Sequence, residues 1–134
     1  MKHWKSMAAM TAAAMLALGA GSAMAEDSGK TEYMNACASC HGAAGLGEGP
    51  MAEFMSSKVP DLTKLSAEND GKFPMLRVIH IMDGRTGLRG HGSEMPIWGD
   101  IFKAEAGAAG AYGSEMAARG RILSVGYYLE SIQK

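Results

Sequence analysis

This 134-residue sequence has little of several features that mark common protein classes. It holds only two cysteines, too few for a disulfide-rich scaffold. A strong excess of charge of one sign is also lacking. Two of the 13 basic residues precede position 26, and all 14 acidic residues lie within 26–134, so this range carries a formal charge of 11 − 14 = −3. That balance argues against a nucleic-acid-binding protein, which needs a basic patch. The apolar–polar alternation typical of strands is absent as well, so the sequence predicts a small all-α domain.

The first 25 residues have the pattern of a cleaved secretory signal peptide. Two lysines precede an uncharged run from Met7 to Gly19, and small residues stand at Ala23 and Ala25. A retained membrane anchor fits less well, because the run is short and rich in alanine. We therefore expect cleavage after Ala25, which leaves a domain of residues 26–134 in the periplasm with no membrane span.

Cys37, Cys40 and His41 form a Cys-x-x-Cys-His run, which is the signature of covalent haem attachment. Two thiols at this spacing can add to the two vinyl groups on one edge of a porphyrin, and the adjoining His41 can coordinate the iron. Three alternatives fit less well. A thioredoxin-like pair needs a preceding strand, and none is predicted there. A structural zinc site needs four ligands, but only His80 and His91 could join the motif and there is no second cysteine pair. A disulfide across two residues is an uncommon structural staple. The motif predicts one covalently bound haem c.

Other residues follow a known order along the chain: Gly29, Tyr33 and Cys37, then Pro60-Asp61-Leu62, Met95-Pro96 and Tyr128-Leu129. With these residues the sequence resembles class I c-type cytochromes over positions 29–133. The resemblance implies about four short helices and glycine-rich loops around one haem. It also implies that the Pro60 carbonyl accepts a hydrogen bond from the proximal histidine, and that Trp98 packs beside a haem propionate.

Apolar periodicity and capping residues predict where the helices lie. The predicted helices cover residues 29–38, 62–68, 74–82 and 115–133. Asp61 and Ser114 are the expected N-caps of the second and the last. Gly126 is expected to let the first helix cross the last one closely, and the alanine- and glycine-rich residues 104–113 are expected to form a flexible surface insertion.

Met95 is the predicted distal ligand of the haem iron, because it lies in a glycine-rich loop and Pro96 stiffens the backbone that follows. A thioether opposite an imidazole raises the reduction potential. His91, four residues earlier in the same loop, is the alternative ligand. The other methionines considered are interpreted as core or as haem periphery: Met51, Met55, Met75 and Met82.

With both axial positions filled, the iron has no open site for a substrate, so the sequence predicts a one-electron carrier and not an enzyme. Its expected partners are periplasmic or membrane-bound redox proteins. Two other functions stay open. The chain could be the cytochrome subunit of a periplasmic dehydrogenase complex, or a haem-based sensor that binds small ligands at a labile distal position.

Overall fold

The computed structural model describes residues 27–85 and 95–134, and every regular element in these two ranges is helical. The all-α fold expected from the sequence is confirmed. The α-helices are α1 at 27–36, α2 at Ala38–His41, α3 at Met75–Met82, α4 at Trp98–Glu105 and α5 at Gly110–Ser131. Short 3₁₀-helices cover Ala52–Phe54, Leu62–Lys64, Ala67–Asn69 and Gly107–Ala109. The predicted signal peptide and His91 lie outside the described residues.

None of the helices in these two ranges combines the length and the apolarity that crossing a bilayer requires. The longest of them, α5, organises the domain, because α3 and α4 both pack against it.

Helix α1 crosses α5 at very close range, and Gly29 makes this possible. A Cβ atom on Gly29 would overlap the backbone carbonyl of Ser124 in α5. One turn later the rings of Tyr33 and Tyr128 pack with their centroids 5.1 Å apart, and Tyr33 is fully buried. This contact between the two tyrosines fixes the direction in which α1 leads into the cysteine motif.

Helix α3 packs on α5 through a second glycine. A Cβ atom on Gly126 would lie 2.7 Å from the sulfur of Met75, so α3 occupies this face of α5. The prediction that Gly126 allows α1 to cross is therefore wrong. A sequence shows which face of a helix is small, but not which neighbour lies on it. Helix α3 begins one residue after Pro74 and buries Val78 and Met82.

Residues 104–113 are largely exposed, as expected of a surface segment. They are helical, however, and form the end of α4, a 3₁₀-helix and the first turn of α5, so the insertion expected here is not an unstructured one. Alanine is the strongest helix former, and here that preference outweighs the interspersed glycines. Ser114 is not an N-cap either. It is buried inside α5, and its hydroxyl donates a hydrogen bond to the Ala111 carbonyl at 3.1 Å.

Arg121 of α5 joins three helices. Its guanidinium donates two hydrogen bonds of 2.8 Å to Glu32 of α1 and one of 2.6 Å to Glu105 of α4. The same group lies 3.8 Å from the ring centroid of Phe102. These contacts hold α4, which begins at Trp98, against the rest of the domain.

Asp61 caps the next turn, as the sequence predicts. Its Oδ1 accepts hydrogen bonds from the backbone N–H and the hydroxyl of Thr63, at 2.9 and 2.7 Å. The predicted helix over 62–68 is, however, two separate 3₁₀-helices. The carbonyls of Leu62 and Thr63, which would accept bonds within an α-helix, accept them from residues beyond α5 instead.

Candidate functional site

An apolar cavity of about 310 Å³ lies between α1, α2, α3, α5 and the loop before Leu62. Its volume falls within the range of roughly 300–1,000 Å³ that is typical of ligand and cofactor sites. Every predicted site residue within the described ranges lines it: Cys37, Cys40, His41, Pro60, Met95 and Trp98. Residues about 60 positions apart in the sequence thus meet at one concave surface.

The cysteine motif is held by the end of α1 and by α2. The backbone N–H of Cys37 bonds to the Tyr33 carbonyl at 2.8 Å, and that of His41 bonds to the Cys37 carbonyl at 2.9 Å. The buried Tyr33 hydroxyl donates to the Gly42 carbonyl at 2.6 Å, just beyond α2, and burial raises the pKa of this tyrosine. The motif therefore faces the cavity from a short, fully bonded helical turn.

Cys37 and Cys40 are not joined to each other by a disulfide, and both are partly buried. Burial in apolar surroundings raises the pKa of Cys37 to about 12, helped by the negative charge of Glu32. No cluster of three or more histidine, cysteine or acidic side chains that would hold a metal ion occurs in 27–85 or 95–134.

His41 is buried, and its Nδ1 lies 3.4 Å from the Pro60 carbonyl oxygen. A carbonyl can only accept, so this contact is a hydrogen bond when Nδ1 carries the proton. In that tautomer Nε2 keeps its lone pair, which is the form that binds a metal. The contact implied for Pro60 by the family resemblance is present in the geometry.

The glycine-rich loop after α2 folds back onto the motif. The N–H of Gly47 bonds to the His41 carbonyl at 2.8 Å, and that of Gly49 bonds to the Cys40 carbonyl at 3.0 Å. Gly47 has φ +80°, and a Cβ atom on it would lie 2.5 Å from the Val59 carbonyl oxygen. Only glycine fits between the histidine and the segment that ends at Pro60.

Three methionines line the cavity: Met55, Met82 and Met95. Met82 is buried on α3, whereas Met55 and Met95 are half-buried and precede or follow helices. Met75 faces Gly126 and does not line the cavity. Met82 was predicted to be a core residue. It lies on the cavity wall because the apolar stripe of α3 that packs in the core also borders the cavity.

Trp98 is the first residue of α4 and lines the cavity beside Met95 and Pro96. Its ring packs against Phe102, with the centroids 5.5 Å apart. Helix α4 was not predicted from the sequence, because its residues continue into the alanine- and glycine-rich tract. An aromatic pair four positions apart was the available signal for a helix there.

The cavity suits a flat apolar group that is anchored at one edge. Its lining is predominantly apolar, and two thiols and an imidazole project from a single turn. A thioether sulfur is also available on the lining. This donor set is the one that c-type haem requires, and it defines a domain of the haem-binding class.

Comparison with known proteins assigns the family. The family model for cytochrome c matches residues 26–103, which is more than half of the sequence, and the chain belongs to the cytochrome c family. No curated protein and no solved structure matches the sequence. Membership makes the chain a haem-based electron carrier that works with redox partners.

Proposed function

We propose that this chain is a periplasmic carrier of single electrons that holds one haem through Cys37 and Cys40, with His41 and Met95 as the axial ligands of the iron. The observation that carries the proposal is that all four side chains line the same apolar cavity. When bound, the haem supplies a ferric–ferrous couple.

The protein's own residues account for the behaviour expected of a carrier. The Pro60 carbonyl keeps the proton of His41 on Nδ1, which leaves Nε2 to the iron. A thioether at the other axial position favours the reduced state, and filling both positions leaves none for oxygen or substrate. The apolar lining excludes water and lowers the reorganisation that accompanies electron transfer.

The export route is part of the proposal. A basic start, an uncharged run and small residues before position 26 support cleavage after Ala25 and release into the periplasm. Export to that compartment suits a redox partner that is itself periplasmic or membrane-bound.

The first experiment is a mass and a visible spectrum of the protein purified from a periplasm that attaches haem. We expect the mass of residues 26–134 plus one haem, bound covalently. A Cys37→Ala, Cys40→Ala variant, made in the same cells, should lack covalent haem. A colourless wild-type protein that is folded and has both thiols free would refute the proposal.

The second experiment identifies the axial sulfur. The oxidised protein should show a sulfur-to-iron charge-transfer band, and Met95→Ala should abolish it. The matched controls are Met55→Leu and Met82→Leu, which remove the thioether sulfurs of the other two methionines on the cavity wall and should keep the band. If Met95→Ala keeps the band and one of the two controls loses it, the distal ligand is the methionine replaced in that control. If the wild type lacks the band and has a bis-histidine spectrum that is lost in His91→Ala, the distal ligand is His91.

Reduced protein that binds carbon monoxide readily at neutral pH would favour the sensor alternative, because it shows a labile distal position. Purification as a stable complex with a second redox chain would favour the dehydrogenase subunit.

A further inference from the structure

Gln133, just beyond α5, joins the end of that helix to the segment 62–66. Its side-chain N–H groups donate to the carbonyls of Leu62 and Leu129, at 2.8 and 2.6 Å. Its Oε1 accepts the backbone N–H of Ser66 at 2.9 Å. This half-buried side chain thus makes three hydrogen bonds, with both of its N–H donors and its carbonyl oxygen, and two of the three hold the segment 62–66.

The same segment has two further ties. The backbone N–H of Lys134 donates to the Thr63 carbonyl at 2.9 Å, and the N–H of Leu62 donates to the Gly45 carbonyl at 2.7 Å. Thr63 is almost completely buried. We call the bonds from Gln133 and Lys134 to residues 62–66 the clasp.

The clasp lies next to the group that orients the proximal histidine. Pro60 is two residues before Leu62, and it has no N–H of its own through which other parts of the chain could hold it. The direction of its carbonyl is set by the residues on either side. Gly47 packs against Val59 and Pro60 from one side, and the clasp holds Leu62 on the other.

We propose that Gln133 is a positioning residue that sets the strength of the hydrogen bond between His41 and Pro60, and through it the affinity of His41 for ferric iron. The proposal rests on the proposed function, in which His41 binds the haem iron. A hydrogen bond from Nδ1–H to a carbonyl makes the imidazole a more basic ligand. A more basic ligand favours the ferric state, so loosening the clasp raises the reduction potential.

The test uses the holoprotein with Gln133→Met, which keeps the length of the side chain and removes all three hydrogen bonds. Redox titration should show the ferrous-to-ferric ratio at a fixed potential rising by roughly threefold, which is about 28 mV for a one-electron couple at 59 mV per tenfold change. The NMR signal of the His41 Nδ1 proton in the reduced protein should move toward that of a weaker hydrogen bond.

Gln133→Asn is the second variant, because it keeps an amide but is one methylene too short to reach both Leu62 and Ser66. It should shift the potential and the His41 signal in the same direction. Arg121→Met is the control for general loosening, since Arg121 joins α1, α4 and α5 without touching the clasp. This variant should lower the free energy of unfolding and leave the chemical shift of the His41 Nδ1 proton unchanged.

An unchanged potential and an unchanged His41 signal in both Gln133 variants would overturn the inference. So would an equal shift in Arg121→Met, because the effect would then reflect loosening of the whole domain. Failure of the proposed function is visible earlier and separately, as a wild-type protein without covalent haem or without His41 on the iron.

Discussion

The cavity has two kinds of wall, and they are built in different ways. The attachment wall, from Cys37 to Pro60, is held mainly by backbone hydrogen bonds between α2 and a glycine-rich loop. The helix wall, formed by Val78, Met82 and Trp98, is held by side chains of α3 and α4 that pack against α5. The attachment wall depends on close approach between backbone segments, and the helix wall depends on side-chain volume.

The difference separates two tasks. A side chain whose direction matters, such as the imidazole of His41, benefits from main-chain hydrogen bonds whose geometry varies little. An apolar surface that must only exclude water can be built from side chains that fill space. The two walls should therefore respond to different classes of substitution, which the following predictions address.

The helix wall should be most sensitive to loss of volume. Met82→Ala removes a buried side chain from both the core and the cavity lining, and we expect the free energy of unfolding to fall by about 2–5 kcal/mol. Chemical denaturation of the holoprotein measures this. Met116→Ala is the matched control, because Met116 is 49% exposed and its loss should cost less than about 0.5 kcal/mol. Equal effects of the two variants would show that the helix wall does not depend on packing.

The attachment wall should be most sensitive to an added methyl group. Gly47→Ala combines a positive φ with an overlap against Val59, and we expect a loss of about 2–4 kcal/mol in unfolding free energy. Gly71→Ala is the control, since Gly71 has a similar φ of +76° but no atom within 4 Å of the added carbon.

The control substitution should cost only the backbone strain, about 1–2 kcal/mol. The difference between the two variants, read from the same denaturation curves, isolates the close approach. If Gly71→Ala lowers the free energy of unfolding as much as Gly47→Ala does, the close approach of Gly47 to Val59 makes no measurable contribution to stability.

A smaller effect should appear at low pH. The two hydrogen bonds from Thr63 hold the pKa of Asp61 below its ordinary value. A carboxyl group with a lowered pKa stabilises the fold above its unfolded pKa, and this contribution disappears as the pH falls through the folded pKa. The stability of the wild type should therefore decline more steeply below about pH 4 than that of Asp61→Asn, as measured by denaturation across pH. Parallel pH curves would show that ionisation of Asp61 does not contribute to the stability of the fold.

Sequence patterns captured the attachment wall better than the helix wall. Cys37, Cys40 and His41 form a short local motif, so their positions relative to one another can be predicted from the sequence alone. Helix α4 was missed because alanine and glycine have opposing helix preferences, and contacts such as those of Arg121 with Glu105 decide between them. Such contacts join residues whose proximity no local pattern reveals.

The choice of partner for each glycine shows the same limit. Gly29 lets α1 pack closely on α5, and Gly126 of α5 lets α3 pack closely on the same helix. Only the three-dimensional structure shows which helix each glycine accommodates. In the same way, periodicity could not predict that the carbonyl of Leu62 bonds to Gln133, and this bond divides the expected helix into two turns.

The contact between Gly29 and Ser124 also bears on the timing of maturation. It joins positions about 95 residues apart, and closing so long a loop costs entropy that only late, long-range contacts repay. Val125 and Leu129 belong to the same helix as Ser124 and line the cavity. The pocket thus gains its inner lining only when α5 docks, so the last helix in the chain completes the enclosure of a motif that lies near residue 40.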